Sequence, residues 1–169
     1  MRWTVSKGSL GTLAGDLLVL PVVEGEKGPE LSGVIALAGG HGALAGIIEA
    51  AGFGAAASTT LPLHCPGLKC GWVLLVGLGK REAVSLEVLR KAAGAAAQAA
   101  RGMKARTAIA LPTLADTGFD TETVVRCFVE GSEMALSAAG PSDEVKNSGQ
   151  GPATWTPENR AYLQEYLPR

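Results

Sequence analysis

The sharpest chemical groups in the chain are two histidines and three cysteines, and three of these five stand close together as His64, Cys65 and Cys70. Imidazole and thiolate are zinc ligands. A structural zinc site, however, takes four of them and usually pairs them at short, regular spacings. The second histidine, His41, stands apart from this group. A turn that carries small buried thiols accounts for the same residues. A Cys–His nucleophile needs an acid to orient the imidazole, and neighbouring His64 and Cys65 specify none. Cys127, beside Phe128 in a helical pattern, reads as core.

The carboxylates are spread singly. Asp16 opens a strand, Glu49, Glu87, Glu122, Glu130 and Glu133 fall on helices, and nothing resembles the dense acid cluster of two-metal hydrolysis. Asp116 and Asp120 flank a loop between a strand and a helix, where open α/β sheets bind ligands, but turn formation and helix capping explain both. Two glycine turns offer backbone amides to a phosphate: Gly39-Gly40, ahead of a helix, and Gly77-Leu78-Gly79, after a buried strand. Neither completes a dinucleotide fingerprint, and Lys80 is followed by Arg81 where a P-loop has Ser or Thr. Turn and packing roles are the better explanation of the glycines.

The elements that hold these residues follow from periodicity. Residues 2–5 and 15–23 read as strands, the second apolar at nearly every position, as in a strand covered on both faces. Residues 24–33 carry turn chemistry, and residues 31–38 run to the Gly39-Gly40 break. Leu44, Ile47, Ile48 and Ala51 recur at helical spacing, which predicts a helix over 43–51 ended near Gly52. Residues 59–63 form a short strand, His64 to Gly67 a turn, and residues 72–78 the clearest buried strand.

Ser85 caps a helix over 86–101 whose apolar stripe is Leu86, Leu89, Ala93, Ala96, Ala97 and Ala100, with Glu87 facing Lys91. That stripe leaves Arg90, Lys91, Gln98 and Arg101 for solvent. Gly94 costs the helix about 1 kcal/mol relative to alanine, which close approach to the strand at residues 73–76 would explain. Residues 106–111 are a strand closed by Pro112. Asp120 caps a helix reaching about Ala139, with Phe119 and Val124 as its hydrophobic staple. Strand, crossover helix, strand and helix describe an α/β core with a mostly parallel sheet.

At 169 residues and 17.2 kDa, with 47% hydrophobic and 18% charged side chains, the chain has the size of one domain. Fifteen basic and sixteen acidic side chains leave a net charge of −1, too little positive charge for a phosphate-tracking nucleic-acid binder. An odd cysteine count reads as free thiols in a reducing compartment, so a cytoplasmic setting is expected. The apolar runs, broken by Pro21 and Gly77, fall short of the roughly 20 residues of a membrane span, and the start lacks the apolar run of a secretory signal. Twenty-three glycines beside only eight aromatic residues point to close packing of backbone on backbone.

Specific residues carry a resemblance. Val73-Leu74-Leu75-Val76-Gly77-Leu78-Gly79-Lys80, followed by Leu86-Glu87-Val88-Leu89-Arg90-Lys91-Ala92-Ala93-Gly94-Ala95-Ala96, resembles the strand, Gly-Leu-Gly turn and Arg-Lys-Ala-Ala-Gly helix of the N-terminal domain of leucyl aminopeptidases. Gly15-Asp16-Leu17-Leu18-Val19 is similar to that domain's early strand. Gly46 to Gly54 is similar to the segment before its first crossover, and Val129-Glu130-Gly131 to the helix ahead of the catalytic domain. The likeness covers roughly residues 10–136.

It implies a three-layer α/β/α domain related to macro domains, preceding a catalytic domain that holds two divalent ions, zinc or manganese. That domain's Asn-Thr-Asp-Ala-Glu-Gly-Arg motif is nowhere in this chain, so no catalytic residue, metal ligand or cofactor-binding residue of the family carries over. Both a truncated chain and a diverged stand-alone relative fit this pattern. The organisation expected is an α/β domain over residues 1–139, a linker-like segment over 140–155 and a short helix or tail over 156–169.

The function implied is a non-catalytic domain that packs on an aminopeptidase catalytic domain and takes part in its assembly, hexameric in the family. The isolated domain is expected as a monomer or weak dimer, with no nucleic-acid or membrane partner. The alternative is a stand-alone macro-type module for ADP-ribose or a related nucleotide, its crevice formed by Gly39, Gly40, Gly77, Leu78 and Gly79. Pro21 and Val22 stand where such a module usually places an asparagine.

Overall fold

A computed structural model describes residues 15–31, 42–66, 68–110 and 118–138. Its heart is β1 (Leu17–Gly25), buried from Leu17 through Val23. The uninterrupted apolar run in the sequence is thus a strand covered on both sides. β1 turns back at Glu26 and Lys27 into the short β2 (Gly28–Pro29). On one side β1 pairs in parallel with β4 (Trp72–Lys80), register Leu18 to Val73 through Val22 to Gly77. On the other it pairs in parallel with β5 (Ala108–Ala110). β3 (Thr60–His64) completes the sheet as an antiparallel partner of β4. The sheet is therefore mixed: the parallel pairings expected from the sequence are at its centre, and antiparallel hairpins flank them. Pro62 fits β3's place at the end of the described strand order, since a strand there can spare a ladder N–H.

Alternation along β1 and β4 splits the core in two. Leu17, Val19, Val23, Leu74, Val76 and Leu78 face one layer, made by α2 (Leu86–Gly102) and α3 (Thr121–Ala138). Leu18, Leu20, Val22, Val73 and Leu75 face the other, made by α1 (Gly42–Ala50) and the stretch that carries Phe53 and Ala55. This is a three-layer α/β/α arrangement. Each fully buried leucine on these strands contributes about 1.5–3 kcal/mol by leaving water.

The helix boundaries follow local rules. Ser85 Oγ accepts the Val88 amide at 3.2 Å, and Asp120 accepts the Thr123 amide at 2.8 Å. α1 ends on Gly52 at φ +67°, with the Gly52 amide donating to the Glu49 carbonyl and Phe53 to Ile48, a Schellman closure. α2 closes the same way on Lys104, a left-handed residue at φ +57° where glycine would be the cheaper choice.

The structure changes several expectations. Ile47 is 54% exposed and Ala51 is exposed too; the nine-residue α1 offers the sheet only the Leu44 and Ile48 side of its stripe. In α2, Ala92 and Gly94 are buried along with Leu89, Ala93, Ala96 and Ala100, whereas Ala97 is half-buried. The helix is covered on two sides, by the sheet and by α3. β5 starts at Ala108, two residues after the expected strand start, because the Arg106 and Thr107 amides donate to the Asp16 carboxylate at 2.8 and 3.2 Å instead of joining the ladder. The expectations for residues 2–5, 32–40, 111–117 and 139–169 lie outside the described residues.

Candidate functional site

Gly77-Leu78-Gly79, expected as a turn, are strand: β4 runs on to Lys80 with Gly77 paired to Val22, and this end of it lies against the stretch 55–59. The Gly77 amide donates to the Thr59 carbonyl at 2.7 Å and the Gly79 amide to the Ala55 carbonyl at 2.8 Å, while Ser58 N–H returns to the Gly77 carbonyl at 2.9 Å. A Cβ on Gly77 would overlap the Ala56 carbonyl and stand 2.6 Å from that of Ala55. Gly77 is glycine because another backbone lies against it. Ala55 and Ser58 accept left-handed backbone, φ +61° and +63°, to make that approach. Leu78 between the glycines is buried in the helix-side core. The two amides expected to face a phosphate are thus donating to carbonyls of their own chain. Gly39 and Gly40, the other half of that crevice, lie outside the described residues, as do His41 and Asp116.

The carboxylates are dispersed, and Cys127 lies on the other side of the sheet from Cys65 and Cys70. The His64 ring is tilted against Trp72, centroids 5.0 Å apart. Cys65 is buried beside it in sequence, Cys70 is half-buried, and Cys127 is buried in α3. Burial pushes the Cys65 and Cys127 thiols up. Among the described residues no three His, Cys, Asp or Glu side chains converge on a point that would hold a metal ion. The donor set of a two-ion hydrolytic centre is not offered by them. The amide and hydroxyl of Thr123 hold the Asp120 carboxyl below its ordinary range, the signature of a cap.

What the resemblance residues do build is a close helix pair. Gly94 of α2 and Gly131 of α3 meet: a Cβ on Gly131 would overlap the Arg90 carbonyl oxygen, and a Cβ on Gly94 would stand 3.1 Å from Ala135 Cβ and 3.2 Å from the Gly131 carbonyl oxygen. Gly94 therefore serves contact with α3, not with the strand at residues 73–76. Arg90, expected in solvent, reaches across to Glu130 at 2.8 Å; this neighbour holds its guanidinium above the usual value. Ser132, buried at the same crossing, donates to the Ala93 carbonyl at 3.3 Å. Outside the crossing, Glu87, Arg90, Lys91, Gln98 and the 68% exposed Met134 line an open groove of about 430 Å³. Sequence reasoning missed Glu130, Gly131 and Ser132 as partners of α2. The signal for them was the small residues Gly131, Ser132 and Ala135 on α3 facing the alanines of α2.

No helix of the described residues is long and apolar enough to cross a membrane. The model of the cytosol aminopeptidase family's N-terminal domain matches residues 19–138. A probable cytosol aminopeptidase from Roseiflexus castenholzii is 37% identical over 134 residues, which take in 78% of this chain and 25% of that protein. The chain thus spans about a quarter of that relative's length. Among solved structures, a tomato leucine aminopeptidase variant aligns with a TM-score of 0.60 at 20% identity, over 94% of this chain and 34% of that one. The macrodomain of Mycobacterium tuberculosis DarG aligns with a TM-score of 0.58 at 15% identity, over 80% of this chain and 90% of that one. At those identities both bear on the fold alone, and both agree with the three-layer α/β arrangement. With the glycine-bearing strand β4 and the paired helices falling inside the matched residues, the chain belongs to the cytosol (leucyl) aminopeptidase family and corresponds to its N-terminal domain.

Proposed function

We propose that this chain is a non-catalytic domain that packs on a metal-dependent aminopeptidase catalytic domain and takes part in its assembly. The observation that carries the reading is the family match over residues 19–138, together with a relative of which this chain covers only a quarter. In this reading both divalent ions, zinc or manganese, belong to the catalytic domain. The working compartment is the cytoplasm, and the assembled parent is a hexamer, while the domain alone is a monomer or weak dimer.

A leucine anilide assay tests the first point. The purified chain should release no product above background with manganese or zinc added, and metal-stimulated turnover by it would overturn the reading. Light scattering at micromolar concentration tests the second, where a defined hexamer of this chain alone would contradict it. The macro-type nucleotide alternative draws on fold likeness only. Calorimetry with ADP-ribose at high micromolar concentration should give no heat, in keeping with the Gly77 and Gly79 amides already being engaged.

A further inference from the structure

The hairpin of β3 and β4 ends on two of the three cysteines. His64 and Trp72 are its last paired residues. Beyond them the Cys65 amide donates to the Gly71 carbonyl at 2.7 Å, which sets Cys65 across from Gly71. Strict alternation would send Cys70 to the opposite face, with Trp72. Gly71, however, sits at φ +67°, and the Leu68-to-Cys65 and Gly71-to-Leu68 amide bonds, 3.0 and 2.9 Å, curl the connection back on itself. Cys70 consequently packs on the same apolar cluster that contains Cys65. Residues directly opposite in an antiparallel pair stand about 4.5–5.5 Å apart at Cα. A disulfide spans about 4.4–6.8 Å, and Cys70 is one residue from the opposite position. Access differs between the two sulfurs: Cys70 is half-buried, Cys65 buried.

We propose that Cys65 and Cys70 are a reversible dithiol pair that closes to a disulfide across the hairpin end when a peroxide reaches Cys70. The Cys70 sulfur attacks one peroxide oxygen; the O–O bond breaks, the sulfur becomes a sulfenic acid, and the departing oxygen leaves as water with the thiol proton. The Cys65 sulfur then displaces the sulfenic hydroxyl: the S–S bond forms, the S–O bond breaks, and a second water carries off the Cys65 proton. Two thiols lose two electrons and one peroxide becomes two waters. A small-molecule thiol reverses the step by exchange. Cys127 is buried in the core on the other side of the sheet and takes no part.

Lys69 lies between the two cysteines, so trypsin separates them and a disulfide is read as a bond between residues 28–69 and 70–80. The full chain is treated with hydrogen peroxide, blocked with iodoacetamide and digested. The expected product is that cross-linked pair, lighter by two hydrogens than the sum of its reduced peptides. In parallel, the thiol count of the denatured protein falls from three to one and returns to three with dithiothreitol. Recovery of the 70–80 peptide alkylated, or carrying sulfinic or sulfonic oxygens, or joined to a second copy of itself, overturns the proposal. In Cys70→Ser the count should stay at two after the same treatment, and a fall there would equally overturn it.

Discussion

The two faces of the sheet are covered by different means. On one, the 17-residue α2 and the 18-residue α3 lie on β1 and β4 and touch each other through Gly94 and Gly131, with the Arg90–Glu130 pair beside the contact. On the other, the nine-residue α1 shares the work with an irregular stretch that accepts two left-handed residues, Ala55 and Ser58, to reach the end of β4. Both sides depend on a glycine that admits a foreign backbone, Gly131 in one case and Gly77 in the other. The difference lies in what can give way. At Gly131 two helices face each other, and relief requires them to part as whole bodies, giving up contacts along their crossing. At Gly77 the opposing carbonyls belong to a loop.

That contrast orders the substitutions. Gly131→Ala drives a methyl into the Arg90 carbonyl, whose carbon would stand 2.7 Å away. It should cost about 3 kcal/mol, the upper end of overpacking, read as a lower urea midpoint at unchanged slope. Gly94→Leu enlarges the same contact from the other helix, where the first added atom already meets Ala135 Cβ at 3.1 Å. A loss of about 2 kcal/mol is expected, the crowding outweighing the gain in helix propensity; a midpoint that rises instead would show that the helices part freely. Gly77→Ala should cost about 1–2 kcal/mol as the 55–59 loop shifts, with faster amide exchange at Gly79, whose acceptor is the Ala55 carbonyl. Should it cost more than Gly131→Ala, the loop is the stiffer of the two and the contrast is reversed.

The smallest effect belongs to the N-terminus of α3. Asp120 accepts the Thr123 amide and hydroxyl, both at 2.8 Å, and its pKa is lowered from an ordinary value near 3.8. Because the folded value is the depressed one, this contribution is fully present above the unfolded value and is lost as pH falls through the folded one. Asp120→Asn keeps a cap but removes the titration. The stability difference between the two proteins should therefore shrink as pH is taken below the ordinary carboxylate range, as followed by thermal unfolding across an acid series. A constant difference would place the role of Asp120 elsewhere.

Local chemistry was readable residue by residue. The buried run at residues 17–23, the Ser85 and Asp120 caps, the Gly52 stop and the Glu87–Lys91 pair, 3.7 Å apart, each depend on neighbours within a few positions, and each is present. So did the family likeness, because the Gly-Leu-Gly stretch and the helix after it are contiguous. What the chain alone left open was which distant backbone each small residue admits. Gly94 was assigned to the strand and belongs to α3; Arg90 was left to solvent and pairs with Glu130; Gly77 was given a packing role without the partner that fills it, the 55–59 loop. Small size states only that something comes close. Its identity is decided by the crossing of α2 over α3 and the placing of the loop on β4, contacts between residues far apart in sequence, so no local spacing encodes them.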